Sequence, residues 1–436
     1  MKNNKQSYLM EVQNQIRSKE AKEFVSAELN YHITAMKSEW INKGLNEEDS
    51  EEKAVKQMGN PITLGQRLNK LHRPKVDWLT IILLVITLGL SFLPMLSLGN
   101  YFSDEAMSMG YYAKHKMIFV LLGGFVAFGM MMVDFRKLEK QGWLFYGIAM
   151  IILLLLAFFP SDMINGLPII IIGSLRIESL MAIPFLFLAW ASIFNDKRVK
   201  IWQMGILVII PCYFLFKMPS ISTIYIYGVM VLVMFCWSQF SRKTILSSLI
   251  FLISFFLIIG FIFWKASATY QKSRLQAFLN PEQYADTFGY MILYIREILS
   301  KAGWFGNAMS TEFIPTPHAD FVFVNLTSYF GWIFAITLVF ILSLFIVRII
   351  VIARKVHHSY GKFLLIGAVA LYSVQLVTNI AMMLGFLPMI SMSLPFISYG
   401  LMPTLFNAFL IGVVLSVYRR KDLVPSGFKA KPARVN

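Results

Sequence analysis

The stretch "HRPKVDWLTIILLVITLGLSFLPMLSL", His72 to Leu98, decides what kind of protein this chain folds into. A short polar lead-in with a proline ends at Trp78. An uncharged apolar run comes next that is long enough to cross a bilayer, for which about 20 residues suffice. Comparable runs recur downstream at roughly 117–133, 143–159, 177–194, 203–217, 222–239, 245–264, 321–350, 363–383 and 400–418. Several are short or contain Gly or Pro, which spans tolerate where neighbouring helices satisfy the backbone. Composition agrees, because 57% of the 436 residues are hydrophobic and only 15% charged. Soluble domains are typically about a quarter charged, so a large water-soluble enzyme is excluded, and such apolar content also excludes disorder over most of the chain. The expected fold class is all-α: a polytopic membrane protein with about ten transmembrane helices and a small N-terminal soluble helical domain.

The N-terminal segment, 1–76, differs in kind from the rest of the chain. It holds ten of the 24 acidic residues and no long apolar run. Tyr8, Leu9, Val12 and Ile16 fall at helical spacing, as do Phe24, Ala27, Leu29 and Ile33. Asn46-Glu-Glu-Asp is a polar helix start before Ala54, Val55 and Met58, and Gly59-Asn60-Pro61 stops that helix. It is not a signal peptide, since no apolar core comes after the N-terminal lysines. The expected division is a cytosolic helical domain at 1–76, a membrane domain at 77–420 with a long outer loop at 265–320, and a basic cytosolic tail at 421–436.

The net charge of +16 fits basic residues on inner loops and attraction to anionic headgroups better than nucleic-acid binding. With both termini cytoplasmic, the inner loops and tail carry 18 basic residues and the outer side nine, among them Lys116. No internal repeat is visible, so an inverted-repeat transporter gains no support. Cys212 and Cys236 lie in apolar runs and lack disulfide or metal-ligand spacing. They read as small buried residues.

The loop at 265–320 is too long to be a simple connection. It is rich in aromatics, from Trp264 at its edge and Tyr270 to Trp304 and Phe305, and reads as short amphipathic helices on the membrane surface. It ends in "FIPTPHADFVFVNL", Phe313 to Leu326, where Asp320 directly precedes an apolar run. An ionisable residue at that depth is a functional candidate, although position alone leaves Asp320 equally able to cap the next helix. His318 adds a titratable neighbour, in a setting where histidines are more often structural.

Four stretches carry a resemblance to the SEDS family (shape, elongation, division and sporulation), which includes FtsW, RodA and SpoVE. They are "SRLQAFLNPEQYADTFGYM" (Ser273 to Met291), "GWFGN" (Gly303 to Asn307), "IPTPHADFVF" (Ile314 to Phe323) and "MMLGFLPMISMSLPFISYG" (Met382 to Gly400). The family's Pro-Ser-Glu-x-x-Lys motif appears as "RIESLM", which keeps Glu178 but has Met181 for the lysine. Its Pro-Asp-x-Gly-Thr motif reads "PSIST", with Ser220 in place of the acid. Met291, Ser328, Tyr329 and Leu401 depart from the pattern as well. The segment before the first span, by its stretch Gly44 to Pro61, resembles the helical prefix domain of some bacterial permeases and their regulators.

The SEDS resemblance implies a peptidoglycan glycosyltransferase of the bacterial plasma membrane. Such an enzyme polymerises lipid II, the undecaprenyl-pyrophosphate-linked disaccharide, at the outer membrane face, in cell-wall synthesis linked to shape, division or sporulation. Asp320 falls on the family's essential aspartate. A carboxylate there can accept the acceptor hydroxyl's proton, and it is also the candidate ligand for a divalent cation such as Mg²⁺ or Mn²⁺. The leaving pyrophosphate needs cationic partners, for which Arg274 is suited by its bidentate fork. His318, Glu178 and Ser398 complete the expected substrate-binding set. The expected partner is a class B penicillin-binding protein, a transpeptidase, with no organic cofactor and no nucleic acid. Two alternatives stand beside catalysis: a SEDS-like scaffold that binds a transpeptidase, favoured by Ser220 and Met181, and a flippase for lipid-linked precursors.

Overall fold

The structure is a computed structural model describing residues 5–17, 19–72, 74–98, 109–164, 166–173, 175–266, 269–306 and 314–422. The basic positions Lys429, Lys431 and Arg434 of the tail lie outside the described residues. The chain divides into two compact units, Met1–Val76 with Tyr418–Asn436, and Asp77–Val417.

In the first unit, four helices, α1 (Lys5–Gln15), α2 (Lys19–Asn42), α3 (Glu47–Gln57) and α4 (Pro61–Leu71), enclose a small core of Tyr8, Val12, Ile16, Val25, Leu29, Ile33, Ala54 and Val55. The Asn46 side chain accepts from Asp49 N–H at the start of α3, with Glu47, Glu48 and Asp49 in the first turn, where acids complement the helix dipole. Asn60 caps α4 in the same way, with Pro61 as its first residue. Gly65 lets α4 approach α1: a Cβ there would meet the Val12 carbonyl oxygen at 2.8 Å.

The second unit is a multi-pass membrane domain. Its helices are α5 (Trp78–Leu90), α6 (Leu93–Leu98), α7 (Met109–Met132), α8 (Phe135–Leu138), α9 (Gly142–Phe158), α10 (Ile183–Asn195), α11 (Ile201–Lys217), α12 (Ile221–Cys236), α13 (Arg242–Ala266), α14 (Thr269–Leu279), α15 (Tyr290–Lys301), α16 (Val322–Phe330), α17 (Trp332–Lys355), α18 (Ser359–Met383) and α19 (Leu401–Arg420). Among the described residues, six helical segments are long and apolar enough to cross a membrane, and three further apolar helices are shorter. α18 is central, with a mostly buried surface that packs on α10, α12 and α17. Gly367 makes room on it for the Phe187 ring of α10. Phe125, Phe216 and Phe251 point outward, as lipid-facing residues do. Several polar groups inside the bundle are paired, whereas the buried hydroxyls of Tyr360 and Tyr372 have no hydrogen-bond partner among the described residues. The Gln375 and Asn407 amides join α18 to α19, and Asp77 meets Thr80 and Arg348.

Three local features depart from the sequence reading. Residues 162–177 form a small antiparallel sheet, β1 (Asp162–Ile164), β2 (Leu167–Ile172) and β3 (Leu175–Ile177), so the span expected from 177 begins as a helix only at Ile183. The run of β-branched isoleucines at 169–172 suits extended chain, and Gly166 and Gly173, both at positive φ, make the turns. The span expected over 321–350 is broken at Gly331, which has φ 88° and separates α16 from α17. Lys116, expected in an outer loop, lies within α7 and is fully buried.

The break at Gly331 is shared with the Gly-rich turn. Trp332 N–H and Ile333 N–H donate to the carbonyls of Gly303 (3.1 Å) and Trp304 (3.3 Å). Gly306, at φ 78°, and Gly331 pack backbone to backbone. A Cβ on Gly331 would lie 2.3 Å from the Trp304 carbonyl oxygen, and one on Gly306 would lie 2.4 Å from that of Tyr329. The turn at 303–306 therefore fixes where α16 ends, and so the height of the segment ahead of it that carries Asp320.

Candidate functional site

Two irregular segments interlock at one end of the bundle, 314–321 ahead of α16 and 384–400 between α18 and α19. Both contain non-glycine residues at positive φ, Thr316 (39°) and Phe396 (63°), a costly backbone state that persists only where surrounding contacts impose it. The imposing contacts are visible. Tyr399 N–H donates to the His318 carbonyl at 2.7 Å. Ser398 Oγ donates to the Ala319 carbonyl and accepts from Leu394 N–H, each at 2.8 Å. Asn325 Nδ2, on α16, donates to the Pro317 carbonyl at 3.1 Å. Asn379 Nδ2, near the end of α18, donates to the carbonyls of Asp320 (3.1 Å) and Met392 (2.6 Å).

Asp320 sits at this junction, half-buried. It does not cap α16: the cap position is Phe321, and no side chain bonds there. One carboxylate oxygen, Oδ2, accepts from Ser391 Oγ at 2.7 Å, and no cation pairs with the carboxylate among the described residues. Burial raises its pKa above the ordinary carboxylate value, and the Ser391 hydrogen bond acts in the lowering direction. His318 is packed between the rings of Tyr112 (centroids 5.0 Å apart) and Tyr399 (5.4 Å), and its buried Nδ1 has no hydrogen-bond partner. Burial lowers its pKa, which favours the neutral imidazole. The junction can thus present one ionisable carboxylate with an uncommitted oxygen, beside a neutral histidine and the edge of an aromatic cluster.

Of the expected site residues, Asp320, His318 and Ser398 come together here. Ser398 is buried and its hydroxyl is committed to backbone partners. Glu178 is exposed where β3 leads into α10, and no described contact links it to the junction. Arg274 lies in α14, with its side chain outside the described residues. Ser220, which stands where the family motif has an acid, closes a triangle of hydroxyls with Ser179 and Thr223 at 2.8–3.0 Å. Among the described residues no group of three His, Cys, Asp or Glu is arranged to hold a metal ion.

Sequence reasoning missed Ser391, Asn379 and Lys116. Ser391 and Asn379 lie in or beside the stretch 382–400, but nothing local says which hydroxyl or amide reaches Asp320. A cavity of about 310 Å³ opens nearby between α15 and the ends of α17 and α18. It is lined by Ile295, Arg296, Trp332, Met383 and Met389, and Met389 stands just ahead of Ser391 in the chain.

Comparison with known proteins gives a consistent placement. A family model described as a cell cycle protein, for FtsW, RodA and SpoVE, matches residues 77–423. The probable peptidoglycan glycosyltransferase FtsW of Trichlorobacter lovleyi is 28% identical over 163 residues, 36% of this chain and 43% of that protein. The chain therefore matches less than half the length of that relative. Stage V sporulation protein E of Bacillus subtilis is 25% identical over 368 residues, 80% of this chain and 98% of that protein. Among solved structures, a chain from a peptidoglycan synthase complex that coordinates polymerisation and crosslinking superposes with a TM-score of 0.68 at 22% identity, covering 79% of this chain and 98% of that one.

Proposed function

The chain belongs to the FtsW, RodA and SpoVE family of cell cycle proteins, and on that premise we propose that it is a peptidoglycan glycosyltransferase that polymerises lipid II at the outer face of the plasma membrane. The observation that carries this reading is the state of Asp320: desolvated, not spent on a helix cap, and with one carboxylate oxygen uncommitted. In the proposed reaction an acceptor sugar hydroxyl attacks the anomeric carbon of the donor and its proton passes to Asp320. The bond to the diphosphate breaks, and undecaprenyl diphosphate leaves. Attack opposite the leaving group inverts the anomeric centre with one positioned base and no covalent intermediate. Arg274 is proposed to face the diphosphate. Were Mg²⁺ or Mn²⁺ to take part, Asp320 would be the residue to hold it, and the ion would offset the negative charge of the diphosphate.

The base must be ionised, so activity falls as pH drops through the raised pKa of Asp320. Ser391→Ala removes the hydrogen bond that favours the carboxylate. The acid limb of the pH–rate profile is therefore expected to move to higher pH, with the plateau above it near that of the parent. An unmoved limb would detach Ser391 from the base.

The proposed orientation puts both termini in the cytoplasm. Positions 282 and 355 are both exposed and suit thiol labelling. With Cys212 and Cys236 replaced by serine, a membrane-impermeant reagent should modify Glu282→Cys in intact cells and spare Lys355→Cys. Labelling at 355 from outside would put Asp320 on the wrong face. The proposed partner is a class B penicillin-binding protein, supported by the likeness to a chain from a synthase complex. The uncharged hydroxyl triangle at Ser220 favours the second reading, a non-catalytic scaffold for such a transpeptidase.

A further inference from the structure

Lys116 lies in α7 at 0% exposure, a costly place for an ammonium group. No carboxylate pairs with it among the described residues. Its Nζ donates to two backbone carbonyls, those of Phe396 and Ser398, each at 3.0 Å. These carbonyls flank the turn in which Phe396 is held at φ 63°. The next links run directly to the candidate base: Ser398 Oγ to the Ala319 carbonyl, and Tyr399 N–H to the His318 carbonyl. A set of hydrogen bonds thus links α7, through the 394–400 turn, to the carbonyls of His318 and Ala319, and Asp320 is the next residue along.

We propose that Lys116 is a positioning residue for Asp320, a buried amine whose two hydrogen bonds pin the 394–400 turn so that this turn holds the 318–320 segment in register. The proposal rests on the polymerase reading for its catalytic consequence, but its structural content stands apart from it. An apolar residue of the same length would remove the desolvation cost and leave two carbonyls without their donor. A buried carbonyl that loses its donor bears its full desolvation cost, so the effect of such a change falls first on the turn that carries Phe396 and Ser398.

The test is Lys116→Met in the full chain, with the kinetics of lipid II polymerisation, thermal unfolding and amide hydrogen exchange measured together. The expected result is a fall in kcat of roughly 10- to 100-fold with little change in KM, the scale at which misplacing a reacting group acts. The amides of Leu394 and Tyr399 should exchange about tenfold faster or more, while those in α10 and α18 keep their protection. Ser398→Ala, which cuts the next link, should give the same exchange pattern, and the double variant should lose little beyond the larger single loss. The proposal is overturned if kcat stays within about threefold of the parent, if Leu394 and Tyr399 keep their protection, or if exchange rises uniformly through the bundle. A parent chain that makes no glycan would instead overturn the polymerase reading, and the exchange arm would still decide the role of Lys116.

Discussion

Asp320→Asn is expected to lower the rate of glycan polymerisation by ~10²–10⁴-fold, the usual cost of removing a positioned general base, while thermal stability stays near that of the parent. Asparagine keeps the size of the side chain and can still accept from Ser391 Oγ through its amide oxygen, so the contact at 2.7 Å survives. The Asn379 and Ser398 bonds to this segment go to backbone carbonyls and are untouched. What is lost is the capacity to take a proton and to carry charge. Rate and unfolding temperature must be measured on the same preparation. A normal rate at normal stability would remove Asp320 from the chemistry and put the scaffold reading ahead. A loss of both together would mark the residue as structural.

The second large effect is expected at Gly331, on stability. Alanine there must adopt φ near 88° and place its Cβ 2.3 Å from the Trp304 carbonyl oxygen and 2.4 Å from Gly306 N. The backbone state alone costs ~1–3 kcal/mol, and the clash is with main chain that cannot swing aside. Gly331→Ala should therefore destabilise the chain by upwards of about 3 kcal/mol, among the larger single-residue effects. Gly147→Ala is the control. It lies inside α9 with nothing within 4 Å of its Cβ position, so it should be neutral or stabilising by about 0.5–1 kcal/mol. Equal unfolding temperatures for the two variants would show that the Gly306–Gly331 contact is too loose to exclude a side chain.

Much of the architecture was legible because a bilayer imposes a length and a composition on whatever crosses it. The apolar runs mark their helices to within a few residues at 78, 143, 203 and 222. Asn46 caps the helix that the sequence starts there, whereas Asn60, read only as part of the stop that ends it, also caps the next helix. The features that escaped share a cause. An unbroken apolar run such as 321–350 carries no sign that Gly331 must bend to receive a turn some 25 residues earlier. A lysine near the start of a span reads as a loop charge, since flanking is what such charges usually do. Only the folded chain shows that two carbonyls near position 397 absorb Lys116. For the candidate site, the motif around 314–323 pointed to Asp320 and His318 together, and the stretch 382–400 to Ser398. The hydrogen bonds that join them are long-range, and spacing along the chain does not encode them.

The paired glycines at 306 and 331 have a consequence for sequence drift. Each position excludes a side chain because of the other's main chain, not because of a neighbouring side chain that a second change could trim. No compensating substitution at one can therefore license a larger residue at the other, and a suppressor screen begun from Gly331→Ala should return chiefly revertants. The two positions are locked singly rather than coupled as a pair. This sets them apart from an exchangeable contact such as Gln375 with Asn407, whose two amides could trade places. Variation that tunes this protein among its relatives must flow around the weld between the turn and the broken helix, leaving the segment that presents Asp320 at a fixed height while the lipid-facing surfaces change.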